Sequence, residues 1–98
     1  MFRHVVMFRW RDDADPDRIG AALDGLLELP DLIPEVRSFT VGADAGLGPA
    51  NHDVVVVVDF DDQAAYETYA AHPAHVALVT DHLRPLIADR AAVQHPLD

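Results

Sequence analysis

The chain contains no cysteine. Disulfides, thiol nucleophiles and thiolate metal sites are therefore excluded. Positive charge is scarce: 7 basic residues face 17 acidic ones among 98, for a formal net charge of −10. A nucleic-acid backbone would be repelled, and so would an anionic membrane surface, so neither is an expected partner. No apolar run approaches the roughly 20 residues that cross a bilayer. The opening "MFRHVVMFRWR" carries Arg3, Arg9 and Arg11 and does not read as a secretory signal. A glycine-rich phosphate loop is also missing, because "GADAGLG" precedes a strand rather than a helix. These absences lead to an expectation of a soluble, cytoplasmic protein.

Half of the residues are apolar, so the chain has the material for a core. Its length suits one domain, residues 1–98. Residues 2–10 alternate: Phe2, His4, Val6, Phe8 and Trp10 share one strand face, and Arg3, Val5, Met7 and Arg9 the other. "DDADPD" starts a helix, with Pro16 in its first turn. Ile19, Ala22, Leu23, Leu26 and Leu27 form its apolar stripe, and Pro30 and Pro34 are expected to end it. "EVRSFTVG" reads as a second strand and "GADAGLGPAN" as a mobile loop. "DVVVVVDF" is the clearest strand, since consecutive valines favour extended backbone. A helix is expected from about Gln63, broken at Pro73 and resumed to about Ile87, with Val76, Val79, Leu83 and Leu86 as the second stripe. "DRAAVQ" is a weak last strand.

The order strand, helix, strand, strand, helix, strand predicts an α+β, ferredoxin-like βαββαβ protomer with a four-stranded antiparallel sheet. Helices cover one face of such a sheet, and the other should alternate apolar with polar. Val54 to Val58 do not alternate, and Val5 and Met7 add apolar side chains to the second face. The simplest cover is a second copy of the sheet, in a symmetric homodimer.

The segment "YAAHPAH" holds the chemistry. Pro73 breaks the helix and can begin a new one. His72 then sits at the junction and His75 in the first new turn, with Tyr69 one turn before His72. If the first strand turns its His4 face toward the helices, His4, Tyr69 and His75 converge. A neutral imidazole there can act as a general base. A phenol can donate to a developing enolate oxygen. Val6, Phe8, Trp10, His72 and Val79 would line the pocket, suited to a small apolar or β-carbonyl ligand. The bland reading of the same residues is a histidine bonded to backbone and a core tyrosine.

The segments "RHVVMFRWRDDADPDRI", "IPEVRSFTVGAD", "NHDVVVVVDFDDQAAYETYAAHPAH" and "LRPLIADRAAVQ" resemble the stress-responsive A/B barrel (dimeric A/B barrel) family along nearly the whole chain. The most specific part is Tyr69 followed by His72, Pro73 and His75, together with His4 on the first strand. The resemblance implies two ferredoxin-like protomers joined into a dimeric α+β barrel. It also implies a cofactor-free activity, since one plant member closes a linear polyketide by intramolecular aldol condensation. Its base matches His75, its assisting tyrosine Tyr69 and its strand histidine His4. That enzyme's first-helix aromatic residues are replaced here by Ala22, Leu23 and Leu26, which implies a pocket of different shape. Some plant members hold magnesium on main-chain carbonyls, at places matching Pro30, Ile33 and Val36.

Other readings are weaker on chemical grounds. His72, His75 and His82 lack regular ligand spacing because Pro73 intervenes, so no catalytic metal is expected. Asp59, Asp61 and Asp62 suit a strand end and helix cap. A stress-associated, non-catalytic dimer that binds a small ligand or serves structurally is the main alternative to an enzyme. Sibling barrel families add cofactor-free monooxygenases and haem proteins, with no distinctive haem signature here.

Overall fold

The computed structural model describes residues 1–97. Strand β1 (Phe2–Trp10) leads to helix α1 (Pro16–Leu32), then to β2 (Ser38–Ala43) and β3 (Val54–Phe60). Helices α2 (Gln63–Ala71) and α3 (Pro73–Leu78) follow. After α3 comes a wide π turn (Val79–Leu83), a tight 3-10 turn (Arg84–Leu86), and β4 (Ile87–Pro96). The strands form one antiparallel sheet in the order β2-β3-β1-β4, the ferredoxin-like arrangement.

The inner face of β1 and β3 supplies Val6, Phe8, Val54, Val56, Val58 and Phe60 to the core. Helix α1 answers with Ala22, Leu26 and Leu29, one helical stripe. Asp15 caps that helix by accepting from the Asp17 N–H at 3.0 Å, with Pro16 at the first position. Gly25 allows α1 and α3 to approach closely, because a Cβ there would stand 2.7 Å from Leu78 Cδ1.

Several expectations need correction. Helix α1 runs through Pro30 to Leu32, because a proline in a last turn removes only one donor from a helix already formed. Leu27 is 56% exposed and Val76 46% exposed, so neither belongs to a core stripe. Leu78 replaces Val76 in the core. The phase shifts again beyond it, where the Arg84 N–H reaches five residues back to the Val79 carbonyl. Pro85 has no N–H with which to restore the α register. Gly42 and Ala43 belong to β2, and hydrogen bonds cross the loop that follows: Arg9 donates to the Ala50 carbonyl at 2.9 Å, and the Asn51 amide to Asp44 at 3.1 Å. The Trp10 N–H donates to Asp53 just beyond it at 2.8 Å. Gly46, at φ +78°, makes the turn that a side chain would strain.

The outer face of the sheet carries two apolar rows. One runs Thr40–Val57–Val5–Val93 across the strands, and the next Gly42–Val55–Met7–Ala91. Val93 is 61% exposed and Met7 37%. Polar rows flank them, with Arg3, Asp59 and Ser38 bonded together at one end. Among the described residues no helix is long and apolar enough to cross a membrane.

Two carbonyls of the turn after α1 already accept hydrogen bonds. The Ile33 carbonyl already accepts the Val36 N–H at 3.2 Å. Arg37 donates to the Pro34 carbonyl at 3.0 Å, which sets a cation on the same turn.

Candidate active site

Between the sheet and helices α2 and α3 lies a cavity of about 620 Å³. Its wall is apolar, from Val6, Phe8, Leu26, Val56, Val79 and Leu83. Polar groups enter it at few points: His4 from the sheet, Tyr66 and Tyr69 from α2, His75 from α3, and a rim from the start of β4.

The break at Pro73 builds the centre of this site. His72 is extended, as a residue before proline prefers. Its ring Nδ1 accepts the Ala74 N–H at 3.1 Å and caps α3. In an unbroken helix that N–H would go to the Ala70 carbonyl. The carbonyl is instead met by His75 Nδ1 at 3.1 Å. A carbonyl can only accept, so His75 Nδ1 carries the proton and donates it. The other ring nitrogen, Nε2, is left as an unprotonated acceptor. The helix break thus fixes one tautomer of one histidine.

Tyr69 packs against that imidazole, ring centres 4.5 Å apart, and is 2% exposed. Phe60 backs it at 5.1 Å. Burial raises its phenol pKa, so the group remains a proton donor in neutral solution. His4 lies 6.4 Å from Tyr69 and 5.1 Å from Tyr66, ring to ring. Its Nδ1 accepts from the Gln94 amide nitrogen at 2.8 Å, which leaves Nε2–H as its donor. Burial lowers the His4 pKa to about 4, and Arg90 and His75 push the same way. Burial also lowers the His75 pKa, against the Ala70 hydrogen bond and with Arg90 and His72. Both imidazoles are neutral at neutral pH.

His4, Tyr69, His75, Val6, Phe8 and Val79 therefore meet at one cavity. His72 and Trp10 do not line it. His72 is occupied as a cap, and Trp10 lies where the β1–β4 register shifts, its ring tilted against Phe8 at 6.1 Å. Tyr66, Gln94 and Arg90 join the site although sequence reasoning did not assign them. Tyr66 was readable as one turn before Tyr69. Gln94 and Arg90 depended on the pairing of β4 with β1, which no local pattern reveals. Among the described residues no group of three or more histidines and carboxylates is arranged to hold a metal.

Comparison with known proteins agrees with this architecture. The Arabidopsis thaliana stress-response A/B barrel domain-containing protein HS1 is 28% identical over 86 residues, 86% of this chain and 79% of that one. A dimeric ferredoxin-like protein of unknown function from Thermobifida fusca is 40% identical, with a TM-score of 0.88 over 98% of this chain and 90% of that one. The hydroxynitrile lyase of Passiflora edulis shares the fold alone: 17% identity, TM-score 0.85, covering 99% and 93% of the two chains. Residues 2–96 match the Stress responsive A/B Barrel Domain, and the chain belongs to that family.

Proposed function

We propose that the protein is a cofactor-independent enzyme of the aldol cyclase or lyase type. It acts on a carbon acid flanked by carbonyls, such as a β-dicarbonyl compound. The observation that carries this reading is the fixed His75 tautomer, with Nε2 open beside the buried Tyr69.

His75 Nε2 removes the proton from the acidic carbon, and the C–H electron pair moves onto the carbonyl oxygen. The Tyr69 hydroxyl and His4 Nε2–H are the donors available to that enolate oxygen. The enolate carbon then attacks a second carbonyl of the same molecule, and the new alkoxide recovers the proton from the His75 imidazolium. Val6, Phe8, Leu26 and Val56 keep bulk water from the carbanion. That a fold of this kind hosts a hydroxynitrile lyase in Passiflora edulis is compatible with such chemistry.

The active unit in this proposal is a homodimer. A second copy covers the rows of Val5, Val57 and Val93 and of Met7, Val55 and Ala91, and the dimeric Thermobifida fusca relative supports this. The competing reading is a dimer that binds a small ligand without chemistry. It is favoured by the weak basicity that burial imposes on both imidazoles.

The test is proton exchange at the central carbon of 2,4-pentanedione in heavy water. The native protein is expected to accelerate exchange over buffer, and His75→Ala to lose 10²-fold or more of that rate, the usual worth of a general base. Equal rates in native and variant protein would remove His75 from the chemistry and leave the binding module.

A further inference from the structure

All seven basic residues of this acidic chain are arginines. The ion pairs among the described residues use Arg3, Arg11 and Arg37, together with His52. Arg9 is spent on the Ala50 carbonyl. Arg90 is in none of these contacts, yet it lines the cavity.

Its place follows from the sheet register. On β4, Arg90 stands opposite Phe8, and Gln94 opposite His4. Arg90 therefore shares the inner face with the His4–Gln94 pair, four residues further along the strand, about 13 Å. An arginine side chain spans a good part of that distance. Its charge disfavours protonation of both His4 and His75.

Among the described residues no carboxylate is bonded to this cation. Burial favours the neutral forms of His4, His75 and Tyr69. Asp89 is the one carboxylate residue on the lining, and its side chain is held by His52 at 3.0 Å. Arg84, from the 3-10 turn, adds a second guanidinium to the lining. The cavity thus has an apolar body with His4, Tyr69 and His75 within it and two solvent-exposed arginines, Arg84 and Arg90, on its rim. On a protein of net charge −10 this cannot be a general attraction for anions.

We propose that Arg90 receives a carboxylate of the ligand. The ligand is then a keto acid whose carboxylate lies a few carbons from the acidic carbon presented to His75. A guanidinium grips a carboxylate through two parallel N–H donors, which fixes direction as well as charge. A molecule anchored in this way has one end to offer to the base. Arg90 is a specificity residue in this scheme and takes no part in proton transfer. The inference rests on the cavity being the ligand site, as in the function proposed above, but not on any reaction occurring there.

The test is equilibrium binding, which is blind to catalysis. The probe is 4,6-dioxoheptanoate, a β-diketone with a carboxylate two methylenes away, titrated against its methyl ester. The native protein should bind the acid at least tenfold tighter than the ester. Arg90→Gln should abolish that preference by weakening the acid and leaving the ester unchanged. Arg90→Lys, which keeps the charge but loses the paired donors, should retain part of it. Equal affinity for acid and ester, a preference that survives Arg90→Gln, or no saturable binding of the acid would each overturn the assignment. Deuterium exchange on the same probe separates the two proposals. Acid-selective binding without exchange retains Arg90 and removes the base, and exchange of acid and ester with equal affinity does the reverse.

Discussion

The two faces of the sheet hold opposite kinds of misfit. On the inner face, His4 is a polar residue buried beside Val6 and Phe8. On the outer face, Val93 and Met7 are apolar residues left open to water between polar rows. Both arrangements cost stability in an isolated protomer. A buried imidazole costs desolvation, and an exposed valine forgoes burial. The difference lies in what relieves each. The inner misfit is relieved within the chain, by Gln94 and by staying neutral. Among the described residues nothing covers the outer misfit, and a second copy would relieve it. Polar groups in an apolar wall point to chemistry, and apolar groups in a polar rim point to assembly.

The largest expected effect breaks the outer face. Val57→Asp sets a carboxylate in the middle of the central apolar row, twice over in a symmetric dimer. Each unpaired, desolvated charge costs roughly several kcal/mol. Sedimentation should report a dimer for the native protein and a folded monomer for the variant. A dimer that tolerates this aspartate would move the interface elsewhere.

Acid sharpens the inner face. The folded-state pKa of His4, about 4, lies below the 6.5 of an unfolded histidine. Between those values the unfolded chain binds more protons, so stability falls as pH is lowered through that window. The full loss from His4 is on the order of 3 kcal/mol, and His75 adds in the same direction. Asp59, whose carboxyl pKa is lowered by Arg3, loses its contribution only below the ordinary carboxylate range. Urea midpoints measured from pH 7 to pH 4.5 should therefore fall less in His4→Gln than in the native protein. Parallel curves would mean that His4 is not held neutral by the fold.

The smallest effect separates the two histidines of the junction. His72→Ala removes the cap on α3 and should cost about 1 kcal/mol of stability. It should leave β-diketone exchange nearly intact, because His72 does not line the cavity. A collapse of exchange with unchanged stability would give His72 a role that its position does not suggest.

Much of this was legible in the chain. Period-two alternation put His4 on the face of Val6 and Phe8, and the valine run marked β3. Proline between two histidines marked the junction, and one-turn spacing brought Tyr69 near it. What escaped depended on events between elements. His72 and His75 look alike in sequence, and only the break at Pro73 makes one a cap and turns the other's Nδ1 to the freed Ala70 carbonyl. Val76 fits a helical stripe on paper, but α3 starts afresh at Pro73 and soon widens into a π turn, so Leu78 is buried instead. Arg90 and Gln94 sit in a strand that looks weak and polar, and only its pairing with β1 sets them, still exposed, beside Phe8 and His4.

The central claim is a statement about one proton on one ring. Long-range proton–nitrogen NMR correlations on ¹⁵N-histidine-labelled protein at pH 7 read it directly. The account predicts that His75 carries its proton on Nδ1, with Nε2 giving the shift of an unprotonated nitrogen. Protonation on Nε2, or an imidazolium at that pH, would contradict it.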